Sequence, residues 1–494
     1  MGKKYWLALA NLMWLGCLPL GQAQATETPV VVSTAIGTHE WYRDSRTEQA
    51  REELEHQLQE AALAQLHPEF QRLWQRLNAM PEQGRGPFYD EAFGKLARFQ
   101  QQWRAMDLVS REQLKTQKLD LSQSSDPVEN RGDLFDQVRA LRPQVAEYEA
   151  VRAKVHKLLA LPMATTWPTL AMPTLRSGDT SAELGQIRAM LNELGDAAPA
   201  HRDQAYDAET EQAIKLFQQR HGLTADGIIG RRTLAWLNTG PVVRASLLLR
   251  NLWRRDLVDQ LVGSRYVLVN IPDYRLSVVQ GGGEVFTSRV IVGKEERETP
   301  ILASEIRSVV INPAWHVPRS ILNKDILPKM SRDPSYLSRE QFEVTDSAGN
   351  PQHLTEEQWH QALAQGFPYR LRQKPGDHNA LGRYKFYLPN NDAIYLHSTP
   401  RKGLFEQGAR AFSSGCIRVE HADDLAELLL ADSRYQPDKV ASLLKEEKTK
   451  WLPLSTPTPV FTVYWSSWLD EQGRQQLRND IYGFDRVSYQ SRAL

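Results

Sequence analysis

The chain has 494 residues, with 60 lysines and arginines balanced by 60 aspartates and glutamates, and 41% of its residues are hydrophobic. At about 150 residues per domain, that length predicts about three domains. A chain this apolar is not wholly disordered, and a formal net charge of zero argues against a nucleic-acid binder that works through a general basic surface.

Residues 1–25 read as a secretory signal. Lys3 and Lys4 precede an apolar run from Tyr5 to Leu20, and Ala23-Gln24-Ala25 supplies a small-x-small cleavage site. The run is short for a membrane span. An uncleaved anchor is the alternative, and it would be the chain's one tie to a membrane. The Trp14-Leu15-Gly16 stretch before Cys17 is a poor lipidation signal. The mature chain is expected to begin near Thr26 and to work outside the cytoplasm. Of the two cysteines, Cys17 leaves with the signal and Cys416 stays. A lone thiol in an oxidising compartment forms no internal disulfide. It is either a small buried hydrophobe or a group kept for its reactivity.

Residues 26–175 are predicted to form a helical scaffold without chemistry of its own, with helices over about 45–160. Phe70, Leu73, Trp74 and Leu77 recur at i, i+3, i+4, i+7, and Pro68, Pro81 and the stretch 84–87 separate successive helices. Pro162, Pro168, Pro173 and Gly178 mark a linker. Residues 176–240 read as a compact helical module. Its helices are expected over about 182–194 and 207–221, with Asp207 as a cap and with Ile214, Leu216 and Phe217 in its core. Turns follow at Gly222, Asp226-Gly227 and Gly230, and a further helix runs from Thr233 to Leu237.

From residue 265 the period changes to two. YVLVNIP, YRLSVVQ and EVFTSRVIVG are predicted strands, the last two joined as a hairpin through Gly281-Gly282-Gly283. Residues 309–315 and 393–397 are further strands. A polar, partly helical insertion at about 322–378 interrupts the sheet, and insertions of that length are often lids. A helix (ADDLAELLLAD) and a late strand (PVFTVYWSSW) complete a mostly-β domain over 245–490. The fold class is therefore α+β and multidomain.

The chemistry concentrates in IYLHSTPRKGLFEQGARAFSSGCIRVEHADDL. Cysteine attacks as thiolate, and a free thiol is only a few per cent ionised at neutral pH. A histidine that takes its proton makes it a competent nucleophile. His397 precedes Cys416 by 19 residues, so a strand end, a loop and a return must bring the two together; with 12 histidines in the chain, coincidence is the competing explanation. Ser413-Ser414-Gly415 leaves room for a substrate backbone, and Gly415 permits angles that aim N–H groups at a developing oxyanion. A zinc peptidase would need a tight set such as H-E-x-x-H, whereas His316, His353, His360, His378 and His421 are scattered. A papain-like protease would carry its histidine far downstream of the cysteine.

His397-Ser398 followed by Ser413-Ser414-Gly415-Cys416-Ile417-Arg418 resembles the signature of the YkuD-type L,D-transpeptidase catalytic domain. VNIPDYRLSVV, VGKEERETP, NPAWHVPRSI and KPGDHNALGRYKF are similar to further pieces of that family. Residues 176–240 resemble a small peptidoglycan-binding module, on Tyr206-Asp207, Thr210, Ala213-Ile214, Phe217-Gln218, Gly222-Leu223, Asp226-Gly227, Gly230 and Thr233. The whole mature chain resembles the large periplasmic YcbB-type L,D-transpeptidases, in which the insertion would be a capping subdomain.

The resemblance implies a nucleophile at Cys416, its base at His397, and the Ser398 carbonyl orienting the imidazole. Tyr395 and the backbone at Gly415 and Cys416 would stabilise the oxyanion. Arg418, Ser414 and Trp315 would contact substrate. Arg418 would hold a stem-peptide carboxylate or, alternatively, an ion pair with Asp423 or Asp424, and Asn312 and Trp315 have packing as their alternative role. The family commonly has His-Gly or His-Asp where this chain has His397-Ser398, but only the carbonyl is required there. The implied reaction is two-step acyl transfer that makes 3→3 cross-links in the periplasm, without cofactor or metal. The implied partners are peptidoglycan stem peptides and glycan, with other wall-synthesis enzymes as further candidates and no nucleic acid. An L,D-carboxypeptidase, an enzyme attaching lipoprotein to the wall, and a non-catalytic wall-binding scaffold are the competing functions.

Overall fold

The computed structural model describes residues 40–122, 133–198, 203–333 and 335–485; the signal-like segment and Cys17 lie outside the described residues. The first helix, Ser45–Leu63, starts where the Asp44 carboxylate accepts the Arg46 and Thr47 amides and Thr47 answers with its hydroxyl, a reciprocal cap. Helices Pro68–Ala79, Gly86–Ala105 and Tyr148–Leu159 pack around it. Phe70, Leu73 and Leu77 are buried on the inner face and Trp74 lies at its margin. The long helix Pro241–Leu261 runs from the module back into this helical core. Among the described residues, no helix is long and apolar enough to cross a membrane.

The module consists of helices Leu184–Leu194, Ala208–Arg220 and Arg231–Leu237 around Ile187, Leu191, Ile214 and Phe217. Asp207 caps the second helix through the Thr210 amide, 2.7 Å away. Two expectations change. The third helix opens at Arg231 rather than Thr233, because Gly230 is its extended N-cap and the two arginines form its first turn. Leu216 is 41% exposed: it sits one residue, or about 100° of helix, away from the buried Ala213–Phe217 stripe.

The β-rich domain holds strands β1 (Arg265–Asn270), β2 (Arg275–Gln280), β3 (Gly283–Gly293), β4 (Leu302–Ile311), β5 (Trp315–His316), β6 (Phe342–Thr345), β7 (Arg370–Gln373), β8 (Tyr384–Tyr387), β9 (Leu396–His397), β10 (Ala411–Ser413), β11 (Ile417–Val419), β12 (Lys450–Val463), β13 (Ser467–Leu469) and β14 (Gln475–Leu477). Nine of them form one sheet in the order β10-β3-β11-β9-β8-β4-β12-β1-β2, and an added β2–β3 pairing closes it on itself around a core of Val267, Val290, Val309, Phe386, Leu396 and Ile417. The hairpin joining β2 to β3 turns at Gly281 and Gly282, both with positive φ.

Two strands are shorter than the residue pattern predicts. The stretch 309–315 breaks at Asn312, whose φ is +48°. Its buried amide donates to the Leu443 and Leu444 carbonyls at 3.2 and 2.9 Å, capping the helix Pro437–Lys445; its role is structural. The stretch 393–397 pairs only at its last two residues. Ala393 is left-handed (φ +55°), and the Asn390 side chain takes both the N–H and the C=O of Ile394. The segment between Trp315 and Gln373 adds its own sheet, β5-β7-β6, and its own core around Leu322, Ile326, Phe367 and Leu371.

The helical region and the β-rich domain are joined by buried polar groups. Glu112 accepts the Tyr464 amide at 2.9 Å and the Trp465 indole N–H at 3.0 Å. Fully buried Arg254 donates to the Glu112 carbonyl at 2.6 Å and pairs with Asp485 at 2.7 Å. Removing one partner of a buried pair strands the other charge. Arg254→Met is therefore expected to lower stability by about 3–5 kcal/mol in urea unfolding, whereas Leu216→Ser stays within about 0.5 kcal/mol of wild type.

Candidate active site

Cys416 and His397 are brought together by strand pairing. β11 runs parallel to β9 with Ile417 opposite Leu396 and Arg418 opposite His397, and the Ile417 amide donates to the Tyr395 carbonyl at 3.1 Å. Cys416, the residue before β11, thus lies beside Tyr395, the residue before β9. Both line a cavity of about 730 Å³ together with His397, Trp315, Ser414 and Arg418.

His397 is buried. Its Nδ1 lies 2.6 Å from the Ser398 carbonyl oxygen. A carbonyl only accepts, so Nδ1 carries the proton and Nε2 keeps its lone pair. Ser398 is itself fixed: its hydroxyl receives the Tyr384 amide at 3.0 Å and donates to the Leu381 carbonyl at 3.1 Å. Burial, reinforced by the cations of Arg418 and Lys385, pushes the imidazole down to about 3. The ring is therefore a neutral base.

Burial pushes the Cys416 thiol up. The backbone and phenol of Tyr395 and the charges of Lys385 and Arg418 act the other way. The recorded hydrogen bond of Sγ goes to the Ala393 carbonyl, at 4.0 Å, rather than to the imidazole. The Tyr395 phenol faces the sulfur, receives the Trp315 indole N–H and is driven far above its ordinary value, chiefly by burial. Its ring stands 5.7 Å from that of His397.

The remaining predicted positions divide. Gly415 has φ +112°, and a Cβ there would lie 3.1 Å from Ile394 Cδ1 and 3.3 Å from the Glu298 carbonyl, so the turn needs glycine. Its N–H is already donated to Ser413 Oγ at 3.1 Å and its carbonyl accepts from Thr299 Oγ1 at 2.8 Å. Gly415 is thus not a free oxyanion donor here, which corrects that expectation; the Cys416 amide and the Tyr395 phenol remain candidates. Ser414 accepts from Arg297 at 2.8 Å, and the same guanidinium grips Asp325 of the insertion through both nitrogens. Among the described residues no carboxylate pairs with Arg418. Asp424 is 3.5 Å from His421 instead, so the alternative of an ion pair with Asp423 or Asp424 is not realised.

Three contributors lie within the stretches VGKEERETP and KPGDHNALGRYKF, whose likeness to the family assigns them no role. Thr299 fixes the Gly415 carbonyl. Arg297 ties the insertion to Ser414. Lys385, paired across the sheet with His397, places its ammonium 3.9 Å from the Tyr395 ring centroid. Only the alternation of Tyr384-Lys385-Phe386 hints that Lys385 shares a face with its neighbours' chemistry. The cavity wall is rich in cations. Lys324, Lys329 and Arg332 come from the insertion and Arg297, Arg401 and Arg418 from the sheet side, with Asp325 and Glu340 as acids.

Two regions of the chain match known protein families. Residues 264–465 match the YkuD family model, the L,D-transpeptidase catalytic domain, and residues 180–237 match a model described as "Putative peptidoglycan binding domain". A Haemophilus influenzae protein described as "Putative L,D-transpeptidase" is 42% identical over 220 residues, covering 44% of this chain and 44% of that protein, so the alignment spans less than half of either. The N-acetylmuramoyl-L-alanine amidase CwlM of Mycobacterium tuberculosis is 40% identical over 68 residues, 12% of this chain and 17% of that protein. Solved L,D-transpeptidases from Stackebrandtia nassauensis (16% identity, TM-score 0.23, 59% of this chain and 97% of that one) and Xylanimonas cellulosilytica (15%, 0.19, 60% and 100%) are also similar, though superpositions this loose carry no argument about the site. Two regions of the chain thus match known domains, residues 264–465 the L,D-transpeptidase catalytic domain and residues 180–237 the peptidoglycan-binding domain.

The buried imidazole has a pH consequence. Its folded value, about 3, lies below the unfolded value of about 6.5, so protonation favours unfolding. The stability it contributes is complete above about pH 6.5 and is lost as pH falls from there toward 3. The imidazole ¹⁵N shifts of His397 are expected to remain those of a neutral, Nδ1-protonated ring down to about pH 4.5, and in thermal melts His397→Asn should flatten part of the acid-side loss of stability.

Proposed function

We propose that this protein is an L,D-transpeptidase that cross-links peptidoglycan through a thioester on Cys416, forming 3→3 links between diaminopimelate residues of two stem peptides. The single observation that supports this reading is the register that pairs Arg418 with His397 and Ile417 with Leu396, so that the Cys416 thiol and a buried, neutral imidazole line one cation-rich cavity. Peptidoglycan stems present several carboxylates, so an unpaired Arg418 fits the substrate class: a guanidinium holds a carboxylate by two points at once.

The chemistry follows from the groups present. Rotation of the Cys416 side chain away from the Ala393 carbonyl turns its S–H toward His397 Nε2, which takes the proton as sulfur attacks the carbonyl of the third stem residue. The developing oxyanion is met by the Tyr395 phenol. Collapse breaks the C–N bond, and the imidazolium returns the proton to the departing D-alanine amine, leaving a thioester. A side-chain amine of a second stem attacks that thioester, its proton passes to His397, and the thiol is regenerated. Water in place of the amine would give an L,D-carboxypeptidase product. The insertion over the cavity supports the amine by excluding water. In this reading the helical module holds wall material near the site, the chain works in the periplasm after loss of residues 1–25, and the long segment between Trp315 and Gln373 is the cap.

Muropeptide analysis of purified sacculi decides the reaction. Wild type is expected to generate 3→3 dimers and Cys416→Ala none. Tripeptides without dimers would replace the proposal with the carboxypeptidase, and a wall-linked lipoprotein would replace it with an attaching enzyme. Arg418→Ala is expected to raise KM for tetrapeptide donors by about tenfold or more, with Arg418→Lys recovering part of the loss.

A further inference from the structure

Lys385 stands in β8 with no role in the reaction just described. It lies opposite His397 on one side and opposite Val310 on the other, and opposed residues in antiparallel strands share a face. Its ammonium sits over the Tyr395 ring, 3.9 Å from the centroid, while the phenol of that ring faces Cys416. Among the described residues no carboxylate forms a salt bridge with Lys385. Lys385 is half-buried, and a partly desolvated cation needs some compensation. The ring face supplies some of it, and the remaining anion within reach is the sulfur of Cys416.

We infer that Lys385 is a positioning residue whose ammonium, held against Tyr395, is the counter-charge that the Cys416 sulfur meets as it gives up its proton. The inference rests on the reading of Cys416 as nucleophile and deepens it. In many cysteine enzymes the thiolate is balanced by an imidazolium. Here His397 is buried against two cations and donates its one proton to the Ser398 carbonyl, so the balancing charge comes from elsewhere. The groups acting on the sulfur are Tyr395 just before β9, Arg418 on β11 and Lys385 on β8; His397 lines the same cavity, and Arg297 with its partner Asp325 stands at Ser414. Glu298 lies on the loop packed against Gly415. On its other side Lys385 acts on His316, whose ring burial and neighbouring cations keep neutral. Arg297 is already matched by Asp325, which leaves Lys385 and Arg418 as the cations without a carboxylate, and Arg418 is the one placed to be claimed by substrate. Lys385 then keeps the thiolate available when a stem carboxylate occupies Arg418.

The test reads the thiol directly and needs no wall substrate. The mature chain carries one cysteine, so alkylation of Cys416 by iodoacetamide is followed by mass spectrometry from about pH 5 to about pH 10 in wild type, Lys385→Met and Lys385→Arg. The methionine variant is expected to raise the midpoint by about one unit or more and to slow alkylation at neutral pH about tenfold, while the arginine variant stays near wild type. Thermal melts check folding, and Lys385→Gln takes the place of the methionine variant if that one does not fold. An unchanged midpoint in the neutral variant overturns the role of Lys385 and leaves the nucleophile reading intact, and so does an arginine variant as impaired as the methionine one. A wild-type Cys416 that is never alkylated across the range overturns both.

Discussion

The site depends on the pairing of two very short parallel strands. β9 has two residues and β11 three, too few to hold each other. They keep their register because β8 and β3 flank them in the closed sheet. A slip of one residue would turn alternate side chains to the opposite face, parting Arg418 from His397 and Cys416 from Tyr395. The chain enters β9 from a left-handed Ala393 and an Asn390 side chain that satisfies Ile394, so the strand starts at Leu396 and places His397 one step inside the sheet. The tight turn at Gly415, with its N–H and carbonyl both spent on Ser413 and Thr299, does the same for the cysteine.

Within that frame the electrostatics are unusual for a thiol–imidazole pair. The imidazole lacks a carboxylate partner and donates to a carbonyl instead, which fixes its tautomer and favours its charge less than burial and the Arg418 cation oppose it. Burial and surrounding cations then hold it neutral. The same cations favour anions in the cavity, whether sulfur, oxyanion or the carboxylates of a peptide. In the proposed reaction one distribution of charge thus serves base, nucleophile and ligand together.

Much of the architecture was legible because it is written locally. The Asp207 cap, the period-two strands, the Gly281-Gly282 hairpin and the helix Ala422–Leu430 are each specified by residues within a few positions of one another. The Cys416 and His397 motif was visible for the same reason. Leu216 departs from the hydrophobic pattern because its angular position puts it off the buried stripe, and β9 is shorter than the residue pattern because the Asn390 side chain takes the hydrogen bonds of Ile394. Arg418 illustrates the opposite limit: a nearby Asp424 looked like its partner, yet His421 three residues away on the same turn is the nearer one. Lys385, Thr299 and Arg297 owe their roles to cross-sheet and cross-subdomain neighbours, which no single sequence displays.

The Arg297 guanidinium touches Asp325 of the insertion and the Ser414 hydroxyl, two residues before the sulfur. The insertion cannot swing outward without Asp325 releasing that guanidinium or pulling it along. Movement of the insertion and the footing of the turn that carries Cys416 are therefore coupled through one arginine, which would otherwise brace Ser414 with its own charge unmatched.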